Sequence, residues 1–299
     1  MIPVSDVPGT VADALDARVI DSTELDGGEV GHVVRVSLAD GRTVAAKTGD
    51  APLSVEADML AFLADRGPPV PEIHHESDEL LVMEYVAGDG ELTPAAERDV
   101  ARHLAALHEE SPERSEGANA EEPWNGVDRS FGFPYDTLSG PYRQPNPWTG
   151  SWVAFYRDQR LRHVAERARE AELLAAPLWE RLDELAADLG SWLPESPPSS
   201  LLHGDAWAGN LVVADGRVRA FLDPACYFGH AEVELAYAAF AGFGDPFFET
   251  YERERAIDPG FFEGRREIYQ LYPLLEHLLY FEDGRYADRI EGVLGDVGY

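Results

Sequence analysis

The chain reads as an α+β protein of two lobes, with a small β-rich lobe over residues 1–86 and a larger helical lobe over 87–299. Three observations predict this division. Up to residue 86 the apolar residues fall in short alternating runs separated by turn signals, the period of half-buried strands. Beyond Val86-Ala-Gly-Asp-Gly90 they recur at helical spacing over long stretches. The length of 299 residues also exceeds a typical single hydrophobic core, which favours two lobes around a shared cleft.

Val11–Val19 has the spacing of a short amphipathic helix and leads into a strand near Arg18–Leu25. A glycine-rich turn, Leu25-Asp-Gly-Gly-Glu-Val-Gly31, precedes the alternating strand His32–Leu38. Asp40-Gly41 is a hairpin signal joining that strand to Arg42–Lys47. Ser54 is the expected N-cap of a helix running to about Asp65, with Gly67-Pro68-Pro69 stopping it. Short strands follow near Glu72–His75 and Leu80–Tyr85. In the second lobe Thr93 is placed to cap a helix through Leu107. Residues 111–150 are rich in Pro, Gly, Asn and aromatics and have little periodicity, and so long an irregular stretch is usually functional or disordered. Helices are expected at Trp152–Ala176 and Pro177–Leu189, then a linker at Ser196–Ser200. Short strands are expected at Ser200–His203, Leu211–Val213 and Val218–Leu222, with helices from Ala231 to the end. There is no internal repeat.

With 44% hydrophobic and 10% aromatic residues the chain has the material for real cores. A single cysteine, Cys226, excludes an internal disulfide framework and fits a reducing compartment. The N-terminus lacks the basic and apolar regions of a signal peptide, and no stretch approaches the ~18 uninterrupted apolar residues of a membrane span. A cytoplasmic location is expected. The net charge of −32 argues against nucleic acid and anionic membranes as partners, since both call for a basic surface. The acidic residues are scattered rather than gathered into a tail, as in halophilic proteins, where molar salt shortens the Debye length to about 3 Å.

Of the 24 basic residues 23 are arginine, and Lys47 is the sole lysine. A compact ammonium on a thin stem fits where a planar guanidinium fork does not. Lys47 therefore marks a site rather than a surface.

The densest chemical signal is Leu202-His-Gly-Asp-Ala-Trp-Ala-Gly-Asn210, followed by Val218-Arg-Ala-Phe-Leu-Asp-Pro224. Asp205 and Asn210 lie on a loop between two short strands, and Asp223 ends the next one. In-line phosphoryl transfer needs a carboxylate to orient the attacking hydroxyl and accept its proton, the role suited to Asp205. It also needs oxygen ligands to hold magnesium against a triphosphate, the role suited to Asn210 and Asp223. Magnesium keeps few protein ligands, so two suffice. Gly27, Gly28 and Gly31 sit between two strands, where backbone amides can approach phosphates. Lys47 with Glu56 makes the ion pair that bridges nucleotide phosphates. Met83, Glu84, Tyr85 and Val86 join the lobes; their backbone can bond the adenine edge with Met83 at the back of the pocket, or the segment is an ordinary buried strand.

These residues resemble the fructosamine, or ketosamine, kinases within the aminoglycoside and choline kinase-like group, and the resemblance runs from Gly27 to about Phe243. It rests on His203–Asn210, on Asp223–Glu232, and on Phe131-Gly-Phe133 through Trp148, Trp152, Phe155 and Arg160-Leu161. It implies a bilobal protein-kinase-like fold, ATP with Mg2+, and transfer of phosphate to a sugar hydroxyl of a ketosamine, free or protein-bound. The sequence departs from the family at Ala206, usually Leu, and at Glu234, usually Asp, where support for the catalytic loop comes into question. Trp207, beside the base, can stack on a sugar or cap the core. His203 can brace the loop or face the substrate. His230 and Glu232 can orient the magnesium loop or form a surface turn. Trp152 can contact substrate or pack between helices. Two rival functions remain open: an aminoglycoside- or choline-type phosphotransferase of the same fold, and a non-catalytic nucleotide-binding scaffold. A monomer is expected.

Overall fold

A computed structural model describes residues 2–25, 31–88, 91–112 and 129–299. The small lobe is a five-stranded antiparallel sheet in the order β1-β2-β3-β5-β4. Its strands are β1 (Val19–Leu25), β2 (His32–Leu38), β3 (Thr43–Thr48), β4 (Ile73–Glu76) and β5 (Leu81–Glu84). Helix α1 (Val7–Leu15) covers one face, where Val7 and Val11 meet Val34, Val36, Val44 and Ala46. Helix α2 (Leu53–Ala64) covers the other, where Leu53, Ala57 and Leu60 meet Ala45, Leu81 and Met83. Side chains alternate along a strand, so Lys47 shares the α2 face with Ala45. The β2–β3 hairpin turns at Gly41, whose φ of +94° is open to glycine at no steric cost.

Helix α2 lies between the lobes. Its sheet-facing residues recur at positions 53, 57 and 60, while Met59 and Leu63 belong to the core of the large lobe. The Phe62 ring meets Phe133 edge-on at 4.8 Å. Ser54 is not the cap of this helix. Pro52, with φ −66° and ψ 108°, holds that position and presets the entry angle, and the Ser54 hydroxyl donates instead to Asp78.

The large lobe begins with α3 (Pro94–Leu107), where Thr93 Oγ1 accepts from Ala96 N at 3.2 Å as the sequence predicts. A hairpin of three-residue strands follows, β6 (Thr137–Ser139) and β7 (Tyr142–Gln144). The next helix is α4 (Trp152–Phe155), a π turn at Tyr156–Leu161, and α5 (Arg162–Glu170). It stops short of the expected Ala176 because Glu172 takes φ +61°, outside the helical basin. Helix α6 (Ala176–Ala187) follows. Two small antiparallel pairs then interlock: β8 (Ser199–Leu202) with β11 (Tyr227–His230), and β9 (Leu211–Ala214) with β10 (Arg217–Phe221). Helices α7 (Ala231–Phe240), α8 (Asp245–Glu254), α9 (Arg265–Phe281) and α10 (Gly284–Asp296) complete the lobe. No helix among the described residues is long and apolar enough to cross a membrane.

Candidate active site

Lys47 stands near the end of β3 and Glu56 in the first turns of α2, facing it. The Lys47 Nζ donates to Glu56 Oε2 at 2.8 Å and to Asp223 Oδ1 at 2.6 Å, joining residues 176 positions apart. Burial disfavours the Lys47 ammonium, but the charges of Glu56 and Asp223 outweigh it and raise its pKa. Asp223 is pushed up by burial and pulled down further by Lys47, so it lies below the usual carboxylate range. Among the described residues Glu56 has no second cation and its Oε1 has no hydrogen-bond partner, and burial pushes it up to about 8.

The segment after β8 is pinned from several directions. Gly204 takes φ +86°, and a Cβ there would lie 2.2 Å from the Ala225 carbonyl oxygen, so only glycine allows this approach. Ala225 N donates to His203 O at 2.8 Å, and Leu222 N to Asn210 O at 2.9 Å. Those two bonds fasten the loop bearing Asp205 and Asn210 to the segment bearing Asp223, whose own φ is +51°. From α7, Glu234 accepts from His203 N at 3.0 Å and Gly204 N at 2.7 Å, while His108 Nε2 lies 2.8 Å from its Oε2. Burial pushes Glu234 up, but the His108 bond and charge, with help from His203 and the Gly204 amide, hold it below the usual range. The longer carboxylate thus supports the loop, and Ala206 beneath it is buried.

Asp205 accepts from Asn210 Nδ2 at 2.8 Å and from Tyr237 OH at 2.5 Å. Burial pushes it up to about 7, against the Tyr237 bond and with further upward pressure from Glu276 and Asp223. Because Asn210 uses Nδ2 on Asp205, its Oδ1 has no protein partner among the described residues. The Asp223 side chain is 45% exposed and engages Lys47 through Oδ1 only. One amide oxygen and one carboxylate oxygen therefore open toward the same space, a donor set of the hard-oxygen kind that magnesium takes beside phosphate and water.

A cavity of about 410 Å³ is lined by Lys47, Glu56, Asp205, Trp207, Asn210 and Asp223 on one side. The β6–β7 hairpin and α9 form the other, through Ser139, Tyr142, Glu276 and Tyr280. The residues predicted for adenine do not line it. Met83 packs with Ala45 and Leu60, Glu84 N donates to Glu72 O, and Tyr85 N to Thr43 O. Val86 N has no partner among the described residues. Gly31 is held at φ +89°, with space for a Cβ closed by the Thr48 carbonyl at 2.2 Å. Gly27 and Gly28 lie outside the described residues.

Trp207 lines the cavity, and its ring covers Gly209, where a Cβ would sit 2.3 Å from it. His203 is buried and its Nδ1 accepts from Asp205 N at 3.3 Å, so it braces the loop and does not reach the cavity. Trp152 requires correction as a substrate contact. It is fully buried, donates Nε1 to Tyr269 OH at 2.9 Å, and stacks on Phe155. His230 and Glu232 serve α9 rather than the Asp223 segment: His230 meets Tyr269 OH, and Glu232 takes both arms of Arg265. Sequence reasoning missed Tyr237, Glu276, Tyr280 and Ser139. Tyr237, Glu276 and Tyr280 lie on helices whose apolar pattern indicates core, Ser139 lies on a strand too short to show a period, and no motif marks their polar tips.

A family model described as fructosamine kinase matches residues 11–297. A Vibrio cholerae protein named "Probable ketoamine kinase" is 33% identical over 291 residues, covering 94% of each chain. A Thermobifida fusca structure assigned as a fructosamine-3-kinase superposes with a TM-score of 0.79 at 28% identity, covering 98% of this chain and 99% of that one. An aminoglycoside phosphotransferase solved with AMP-PNP and hygromycin B shares the protein-kinase-like fold, with a TM-score of 0.68 at 18% identity over 98% and 99% of the two chains. The family model and the Vibrio relative both span the β-sheet lobe and the helical lobe: the chain belongs to the fructosamine kinase family.

Proposed function

We propose that this protein transfers the γ-phosphate of ATP to a sugar hydroxyl of a ketosamine, with magnesium bound. The observation that carries the reading is the meeting of Lys47 with Asp223 at 2.6 Å, beside Asp205 and Asn210 in one cavity. Family membership and the names of the relatives support the acceptor class. Asn210 and Asp223 would hold the magnesium ion, which when bound neutralises charge building on the triphosphate. Lys47, set by Glu56, orients the phosphates from the other side. Asp205 orients the acceptor hydroxyl and takes its proton as the oxygen–phosphorus bond forms and the bond to the ADP oxygen breaks. Tyr237 and Asn210 keep the Asp205 carboxylate aimed while it does so. The backbone near Val86 is the candidate adenine contact, and the lobes divide near that residue. A cytoplasmic monomer is the simplest setting for this chemistry.

Phosphorus NMR of the product from a fructosyl-amine, ATP and magnesium tests the reading, with an aminoglycoside panel as control. A phosphomonoester on the sugar is expected. Phosphorylation of an aminoglycoside with none of the fructosyl-amine would replace the acceptor class.

A further inference from the structure

The acceptor side of the cavity has a carboxylate that the transfer chemistry does not use. Glu276, on α9, accepts from Ser139 Oγ at 2.6 Å, and the Tyr280 hydroxyl, which donates to the Ser139 carbonyl at 2.8 Å, lies 3.3 Å from the same oxygen. Both contacts fall on Oε1; the Tyr272 hydroxyl, which donates to Gln144 Oε1 at 2.9 Å, also stands against the carboxylate, and burial pushes the Glu276 pKa up. Glu276 and Asp205 line the same cavity, and their charges oppose each other. Among the described residues the only lysine or arginine in that wall is Lys47, already bound to Glu56 and Asp223. Arg160 lies behind the wall and is committed to Asn146 Oδ1 and the Pro145 carbonyl. His277 also lines the cavity, but burial, with Arg289 and Arg285 adding to it, pushes its pKa down to about 4, so it is neutral at pH 7.

A carboxylate that opens on the cavity with only hydroxyl donors has no cation bonded to it among the described residues, and the Arg160 charge behind the wall offsets its burial only in part. Around it stand aromatic rings: Tyr142 and Tyr280 are stacked at 5.4 Å, and Trp207, Tyr237 and Phe240 complete the wall. Carboxylate and aromatic faces together favour a cation attached to carbon rather than a neutral sugar alone. A ketosamine has a basic amine next to its sugar carbons, protonated at neutral pH. We propose that Glu276 is the specificity-determining carboxylate of the acceptor subsite, its Oε2 receiving the protonated amine of the substrate. This rests on the ketosamine reading above and adds the group that tells a sugar-amine from a plain sugar.

The test compares two acceptors of the same shape, 1-deoxy-1-butylamino-fructose and 1-O-butyl-fructose, titrated calorimetrically into the full-length protein at pH 7. The amine is expected to bind about tenfold tighter or better than the ether, the range of a charge-assisted contact. Glu276→Gln, which keeps the acceptor for Ser139, should erase that preference while leaving ether affinity and the KM for ATP within about twofold. In turnover the variant should raise KM for the amine and leave kcat nearly unchanged. Equal binding of amine and ether by the wild type overturns the proposal without any variant. So does a Glu276→Gln protein that keeps the preference or weakens both ligands alike. If both acceptors bind but neither is phosphorylated, the kinase assignment for ketosamines fails, and the binding difference still decides the role of Glu276.

Discussion

The two ends of the cavity handle charge in opposite ways. At the proposed phosphate end, one ammonium sits between two carboxylates, and the strongest interactions close within the protein. At the proposed acceptor end, Asp205 and Glu276 are held by hydroxyls and an amide, with no cation bonded to either among the described residues. The first end is arranged before any ligand arrives. The second leaves its charge unmatched, and burial pushes Asp205 up to about 7, the range that suits the general-base role proposed for it.

The sharpest way to break this contrast is Asp205→Asn, which removes the proposed proton acceptor and leaves the Lys47 end intact. A fall of about 10³-fold in kcat is expected, with KM for ATP nearly constant. Steady-state kinetics that show near-wild-type turnover would remove Asp205 from the chemistry. Lys47→Arg attacks the opposite end. The guanidinium keeps the charge but not the fit between Glu56 and Asp223, so KM for ATP should rise about tenfold. An unchanged KM would mean that the lone lysine has no special place.

A smaller effect appears in stability. Asp205 has a folded pKa raised above its unfolded value, so its protonated form stabilises the fold below about pH 4 and that contribution is lost as pH rises through 7. Asp205→Asn should therefore melt a few degrees above the wild type at pH 8, and the gap should shrink as the pH falls toward 4. Calorimetric melting across that range reads it directly, and a pH-independent gap would contradict the burial of the charge. Smallest of all is Tyr237→Phe. Removing a hydrogen bond that favours the carboxylate should move the acidic limb of the kcat/KM profile upward by about half a pH unit to one unit.

The phosphate end was legible in the sequence because its residues are rare types at fixed spacing: a single lysine, and an Asp, Asn and Asp on two adjoining turns. The strands of the small lobe were legible through their period and the Asp40-Gly41 turn. The acceptor end was not. Tyr237, Tyr280 and Glu276 lie on helices whose apolar stripe says which face is inward, and the polar tip at a cavity rim leaves no trace in that stripe. The β6–β7 hairpin, with three residues per strand, is too short for a period to register. Trp152 misled for the converse reason: an aromatic in a substrate-side segment resembles a contact until Tyr269 is seen to satisfy its indole.

Helix α2 carries a consequence for how the protein comes apart. Met59 and Leu63 are rooted in the large lobe while Ala57 and Leu60 hold the sheet, so neither lobe can melt without uncovering apolar surface on the other. Heating should give a single cooperative transition. A chain cut near residue 86 should yield two fragments that aggregate alone and regain solubility only when mixed.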